Sequence, residues 1–386
     1  MFTAKATVNS IFREHAEEFC NKHNVSDHSK KVIRAIVNCR TVSLGGRIQK
    51  CDNCGDEIIL YNSCRNRHCP QCQFKKKEKW IAERRNDIFP FQYFHVVFTI
   101  PESLNPIIFR NKKQIYKLLF DSSKDALLSI SENKKYFGAR IGFFSILHTW
   151  GQKLNFHPHI HAVVPGGGYV AGKEKWKRSP ENYLVPVKVL SKKFRYVFLN
   201  CLKGMIDTGE ISLDNTIYED RTIFRNLLDT LFAKDWIVYV KESFKNSDSV
   251  IDYLGKYTHR IAISNYRIIS SFEGKVKFLY RDYSDCNKEK ILDMPVEKFM
   301  KNFLNHVVPK RFVRIRYYGI LSNSTKRKEL KKCREYYSVK ESHDHEQILG
   351  KKFQNSYNLI ICAKCGIGKM ILSDTIPALN IRAGPA

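Results

Sequence analysis

No run of about 18 apolar residues occurs in this sequence of 386 residues, so no membrane-spanning helix is expected. No signal peptide opens it. No Gly-x-x-x-x-Gly-Lys-Ser/Thr loop is present to cradle nucleotide phosphates, so hydrolysis of a nucleoside triphosphate is not an expected source of energy. Acidic residues are scarce beside basic ones, 38 against 66, which leaves a net charge of +28. The basic residues recur along the whole length and form no detachable tail, and this implies a polyanionic partner, most commonly nucleic acid. With 43% hydrophobic and 12% aromatic residues the chain is expected to fold, and it is long enough for two or three structural units.

Twelve cysteines would suit a secreted disulfide scaffold only in a much shorter chain. Seven of them fall between Cys20 and Cys72, and five of those between Cys51 and Cys72. That clustering fits metal ligation in a reducing cytoplasm, without structural disulfides. Cys51-Asp-Asn-Cys54 and Cys69-Pro-Gln-Cys72 are two Cys-x-x-Cys knuckles separated by 14 residues. Each knuckle offers two thiolates to a tetrahedral ion, so Cys51, Cys54, Cys69 and Cys72 are the expected zinc ligands. Cys64 and His68 are surplus in that scheme; either replaces a knuckle member or joins a second ion. Near the end, Cys362 and Cys365 form half of another site, with Cys333, His343 or His345 as candidates to complete it. Arg65 and Arg67 lie between the knuckles, and Lys75, Lys76, Lys77, Lys79, Arg84 and Arg85 follow on an expected helix. A zinc module backed by such a basic helix reads as DNA-gripping.

The first 45 or so residues have helical periodicity (Val32, Ile33, Ile36, Val37), which Gly45-Gly46 ends. Residues 93–100 form an expected strand stopped by Pro101, and residues 107–130 an expected helix with an apolar stripe. Residues 140–150 and 158–165 are strands joined by a short loop, so they should pair antiparallel. Helices at 189–202 and 222–232, a strand at 236–240 and a helix at 249–260 follow. Strand, helix, strand, strand, helices, strand, helix describes an α+β fold with a ferredoxin-like palm and additions. A strand at 275–280 and a helix at 295–306 come next, and strand alternation over 310–317 puts Arg314 and Arg316 on one face as phosphate contacts. Lys326–Lys332 is a further basic run.

The chemistry is concentrated in His157-Pro158-His159-Ile160-His161. Strand alternation points His159 and His161 the same way and Ile160 into the core. Two imidazoles on one strand face can grip a divalent ion, Mg²⁺ or Mn²⁺, if a third ligand joins them. Gln152 is the favoured third ligand, with His148 and His95 as rivals; His157 either orients a water or phosphate or caps the strand. Downstream, Tyr253 and Tyr257 are spaced to share one face of a helix. A metal-polarised phosphodiester facing a phenol is the equipment of an enzyme that nicks and rejoins DNA. Phosphotyrosine stores the bond energy, and Lys256, His259 and Arg260 would steady the phosphate or lower the phenol pKa.

Three long motifs carry a resemblance. Cys64-Arg-Asn-Arg-His-Cys-Pro-Gln-Cys72, Leu147-His-Thr-Trp-Gly-Gln152 with the histidine run, and Tyr253-Leu-Gly-Lys-Tyr257-Thr-His-Arg-Ile-Ala-Ile-Ser-Asn265 resemble the two-tyrosine HUH transposases of rolling-circle insertion sequences, the IS91 type. Helitron transposases are their eukaryotic relatives. The resemblance runs from about Cys39 to Tyr318. It implies a bacterial, DNA-associated protein with metal ligands His159 and His161 and nucleophiles Tyr253 and Tyr257. It also implies single-stranded DNA of element ends and target as substrate, a 5′-phosphotyrosine intermediate and rolling-circle transposition. No helicase motif is present, a departure from Helitrons that implies unwinding by the host. The expected organisation is a helical and zinc-ribbon domain at 1–90, a tyrosine-nuclease domain at 91–270 and a basic region at 271–386. A plasmid or phage replication initiator shares the histidine and tyrosine apparatus and is the alternative within the chemistry. A hydrolytic metallonuclease, or a zinc-containing nucleic-acid-binding protein without catalysis, are the others.

Overall fold

The computed structural model describes residues 6–73, 89, 92–170, 172, 175–244, 250, 262–337 and 360–379. In chain order its strands are β1 (Gly46–Cys51), β2 (Glu57–Tyr61), β3 (Tyr93–Thr99), β4 (Arg140–Trp150), β5 (Phe156–Pro165), β6 (Gly167–Val170) and β7 (Lys175–Arg178). There follow β8 (Val238–Phe244), β9 (Ile268–Phe272), β10 (Lys275–Asp282), β11 (Lys288–Pro295), β12 (Ile315–Gly319), β13 (Ile360–Ile361) and β14 (Lys369–Ile376). All pairings among the described strands are antiparallel, as the expected α+β class requires. No described helix is long and apolar enough to cross a membrane.

Two compact units divide the chain, and they interleave in sequence. One comprises Met1–Ala82, His259–Val307 and Glu341–Ala386; the other comprises Glu83–Thr258 and Val308–Lys340. The C-terminal third is shared between the two units. Two of its strands, β12 and β14, pair with β4 and β1 far upstream, which no local composition signals.

In the second unit the sheet runs β4-β5-β3-β8, with the helix Lys112–Glu132 between β3 and β4 and the helix Val187–Asp207 between β5 and β8. Counting these strands in chain order gives the spatial order second, third, first, fourth, which is the ferredoxin-like arrangement. The β6–β7 hairpin and β12 extend it beyond β4. Alternation splits the strands between the two faces. Val96 and Phe98 of β3, Leu147 of β4 and Ile160 and Ala162 of β5 enter the core with Leu119, Leu127, Phe194 and Phe198 of the two helices. Close packing along the sheet needs Gly319, whose φ of 59° is left-handed and whose Cβ, if it had one, would strike the Ile141 carbonyl.

The helix expected at 107–130 is two, Asn105–Arg110 and Lys112–Glu132. Asn111 breaks it: its side-chain amide donates to the Ile107 carbonyl at 3.0 Å and to the Ser212 carbonyl at 2.7 Å. Its carbonyl oxygen accepts from the Ser212 N–H at 3.0 Å, so the side chain competes with the helix for backbone partners.

In the first unit Thr7 and Ser10 close a capping box at the start of the helix Val8–Lys22, and Ser26 caps the helix Asp27–Val37. Phe12 packs edge-on against Phe303 of the helix Val296–Asn305, with ring centroids 5.2 Å apart. A four-stranded ribbon, β13-β14-β1-β2, and the meander β11-β10-β9 complete the unit.

Candidate metal centres and nucleic-acid site

Pairing of β4 with β5 sets His148 opposite His159 and Ile146 opposite His161. Pairing of β3 with β5 sets Val97 opposite His161 and His95 opposite Val163. Residues directly opposite one another share a face, so His148, His159, His161 and His95 all lie on the face away from the helices. The turn Gly151–Asn155 closes the hairpin through a bond from the Gly151 N–H to the Asn155 carbonyl at 3.0 Å.

The ligand nitrogens of His148, His159 and His161 lie within 4.8 Å of one another. All three rings are buried, 3%, 9% and 7% exposed, with no carboxylate among the group. Burial pushes the His159 imidazole down to about 3 and, with the neighbouring imidazoles, the His161 imidazole well below its ordinary value. Neutral imidazoles are what a metal ion requires of its ligands.

The outer contacts bear on the tautomers. His159 Nδ1 lies 2.6 Å from the His157 carbonyl oxygen, to which it can only donate, and this leaves Nε2 with a free lone pair. His161 Nδ1 lies 2.7 Å from His95 Nε2 in a pair of stacked rings, a contact open to either tautomer; the one in which Nδ1 donates leaves Nε2 free for an ion. His95, held down to about 3 by burial and then by Lys241, is a neutral ring behind His161 and is its acceptor in that tautomer. His148 stacks on Trp150 at 4.5 Å. The residues fit a divalent ion. His148, the rival to Gln152, stands with the histidine pair, and Gln152 lies half-buried in the hairpin turn that follows β4.

The cysteines form two groups of four. Cys39, Cys64, Cys69 and Cys72 make one; Cys51, Cys54, Cys362 and Cys365 make the other. The expected set of Cys51, Cys54, Cys69 and Cys72 is corrected by this: the two N-terminal knuckles serve different groups. The reason is steric and topological. β1 carries the Cys51 knuckle into a ribbon whose other side is β14, whereas the Cys69 knuckle follows a loop that returns to the end of the helix Asp27–Val37, next to Cys39. Cys64 joins the first group, but His68 does not, and its ring lies 6.4 Å from that of His28. Cys333, considered for the C-terminal site, is buried in the other unit, and His343 and His345 lie outside the described residues.

In the first group Cys72 Sγ is 3.6 Å from Cys39 Sγ and 3.5 Å from Cys64 Sγ. A tetrahedral ion with Zn–S bonds of about 2.3 Å sets its sulfurs about 3.8 Å apart, so the spacing fits zinc. A disulfide would need about 2.05 Å, and all twelve cysteines are free. Hydrogen bonds shared among the four thiols hold Cys72 and Cys69 below their ordinary values and push Cys39 and Cys64 above theirs. The buried Asn9 amide donates to the Ile36 carbonyl at 2.8 Å and to Cys69 Sγ at 3.6 Å, tying the first helix to the site.

The other expected residues divide. Tyr253, Tyr257, Lys256 and Arg260, the helix expected to carry them, and the basic run from Lys75 to Arg85 lie outside the described residues. Arg65 is exposed with a left-handed φ of 53°, and Arg67 is half-buried. Arg314 and Arg316 do not stand together on an open strand face. The Arg314 guanidinium lies 5.9 Å from the Trp150 ring, just before β12 begins. Arg316 pairs with Ser145 on the helix-covered face, its guanidinium 4.3 Å from the Phe120 ring and 3.9 Å from an Asp121 oxygen. Cys39 is the cluster residue that sequence spacing did not single out, whereas His148 and His95 were already rivals to Gln152.

Comparison with known proteins agrees with this picture. The family described as "Transposase zinc-binding domain" matches residues 11–100, and the family described as "Putative transposase" matches residues 142–329. "Putative transposase y4qJ" of Sinorhizobium fredii is 39% identical over 387 residues, covering 98% of this chain and 96% of that protein. "Transposase for insertion sequence element IS801" of Pseudomonas savastanoi pv. phaseolicola is 27% identical over 303 residues, covering 77% of this chain and 71% of that protein. No solved structure matches. A zinc-binding module ahead of a histidine-bearing α+β unit, and a relative alike over almost its whole length, together establish that this chain belongs to the IS91-type transposase family.

Proposed function

We propose that this transposase nicks single-stranded DNA at the ends of a mobile element through a tyrosine nucleophile and transfers the strand in rolling-circle transposition. The observation that carries the reading is the buried cluster of His148, His159 and His161 on a ferredoxin-like sheet, with His95 and the His157 carbonyl fixing two of the three rings. A divalent ion held there would withdraw charge from a bound phosphodiester and stabilise the departing oxygen. An all-imidazole set suits Mn²⁺ better than Mg²⁺, which prefers oxygen ligands.

Tyr253 or Tyr257 supplies the nucleophile. Its phenol oxygen bonds to phosphorus as the bond to the 3′ oxygen breaks, and the phenolic proton leaves to solvent or a neighbouring base while the 3′ oxygen gains one. The product is a 5′-phosphotyrosine and a free 3′ hydroxyl, which primes replication. Attack on the phosphotyrosine by another 3′ hydroxyl restores the phenol and joins the strand, so the exchange needs no ATP. Two tyrosines allow two ends to be held in turn. Lys256 and Arg260 beside them, and Arg65 and Arg67 on the zinc module, contact the DNA backbone, with strand opening left to a host helicase in the bacterial cytoplasm.

Cleavage of a single-stranded DNA pool containing the sequences that flank the gene tests the metal half of this reading. Wild-type protein should cleave with Mn²⁺ and not with a chelator, and His159→Ala with His161→Ala should abolish cleavage. Undiminished cleavage by that folded double variant sinks the role given to the cluster.

A further inference from the structure

We infer that the chain holds a second zinc ion, bound by Cys51, Cys54, Cys362 and Cys365, and that this ion fastens the C-terminal β13–β14 segment to the N-terminal ribbon. Neither matched family region, 11–100 or 142–329, reaches the C-terminal pair of ligands.

The two knuckles are near copies that face one another. Each reads Cys-x-x-Cys-Gly. The Gly55 N–H donates to the Cys51 carbonyl at 3.1 Å, and the Gly366 N–H donates to the Cys362 carbonyl at 2.9 Å. Both glycines take left-handed conformations, with φ of 74° and 69°, which turn the chain back toward the sulfurs. Backbone N–H groups point at sulfur in each: Cys54 to Cys51 Sγ at 3.5 Å, and Gly368 to Cys365 Sγ at 3.3 Å. Such donors stabilise thiolates and are the usual outer contacts of a thiolate metal site.

Across the knuckles, Cys51 Sγ is 3.7 Å from Cys365 Sγ, and Cys54 Sγ is 3.7 Å from Cys362 Sγ. Both separations match the edge of a zinc–sulfur tetrahedron, about 3.8 Å, and are far too long for a disulfide. A Cβ at position 368 would run into Cys51 Sγ, so glycine is what lets the loop close over the site.

The segment needs such a fastening. Among the described residues its buried apolar cluster is Cys51, Cys362 and Met370, with Ile58 and Cys365 partly buried against it. β13 is two residues long, and β14 exposes Ile371 and Leu372. A sheet with so little apolar burial gains its stability from metal ligation, as small zinc modules do. Four thiolates in a tetrahedron select zinc over the harder divalent ions.

Metal analysis of the purified full chain tests this. Wild-type protein should carry about two zinc ions per chain, and Cys362→Ser with Cys365→Ser about one. A single zinc in the wild type, or two in the double variant, overturns the inference. Thiol alkylation read by mass spectrometry provides a check that requires no variant. In the zinc-loaded protein Cys54 should resist alkylation although it is exposed, and should become reactive together with Cys51, Cys362 and Cys365 on chelation. Alkylation of Cys54 as fast as that of the exposed Cys201 and Cys286 before chelation overturns it equally.

Discussion

Replacing His95 by alanine should weaken divalent-metal binding without removing a ligand. His95 meets the centre through His161: its Nε2 lies 2.7 Å from His161 Nδ1, in a site where both rings are buried. Alanine leaves the Nδ1–H of His161 buried without an acceptor, at a cost of about 1–3 kcal/mol. Loss of an outer hydrogen bond to a metal-ligating histidine ordinarily lowers metal affinity by about 10–100-fold, or roughly 1.4–2.7 kcal/mol, so two independent routes agree. Mn²⁺ binding to the full chain, followed by electron paramagnetic resonance or calorimetry, should show that loss for His95→Ala. His95→Gln, which restores an acceptor, should fall between the two. A cooperatively folded His95→Ala protein with wild-type Mn²⁺ affinity refutes the outer role, and a loss as complete as that of His161→Ala would make His95 a ligand itself.

Three further outcomes follow from other parts of the structure. Ile160 is fully buried between the two histidines, so Ile160→Ala should lower stability by about 2–5 kcal/mol in urea unfolding; a change under about 1 kcal/mol would contradict the alternation of β5. Cys39→Ser should remove about one zinc per chain although Cys39 belongs to no knuckle, and unchanged zinc content would remove it from the ligand set. In metal-free protein the buried imidazoles stay neutral while those of the unfolded chain protonate, with His95 and His159 both held near 3. Their contribution to stability should therefore be complete above about pH 6.5 and decline as pH falls from there toward 3. A melting temperature that is flat between about pH 6.5 and 5.5, where ordinary carboxylates are still almost fully ionised, contradicts that assignment.

Much of the histidine-bearing unit is legible in the chain because its signals are local. The alternation of Phe156–Pro165 gives both the strand and the face of His159 and His161, and the short turn after Trp150 forces the antiparallel hairpin that brings His148 opposite His159. The pairing of cysteine knuckles is illegible for the opposite reason. Sequence distance favours the nearer partner, yet Cys51 meets Cys365 because β1 pairs with β14, a contact spanning more than 300 residues. Cys39 carries no motif and becomes a ligand only through the return of the 62–72 loop. Arg316 reads as an outward strand residue, but β12 pairs in the register that turns it toward Phe120 and Asp121. Asn111 splits a helix whose periodicity is continuous, because its side chain bonds to Ser212 from a distant loop.

Covalent capture of DNA tests the central claim most directly. The protein would be incubated with Mn²⁺ and single-stranded DNA carrying the element-flanking sequences, labelled on either side of the nick, and resolved on a denaturing gel. The account predicts that label on the 3′ side of the nick migrates with the protein, through a 5′ phosphate joined to tyrosine, and that Tyr253→Phe with Tyr257→Phe abolishes the adduct while DNA binding persists. An adduct that survives in the double variant, or cleavage that never produces one, would contradict it.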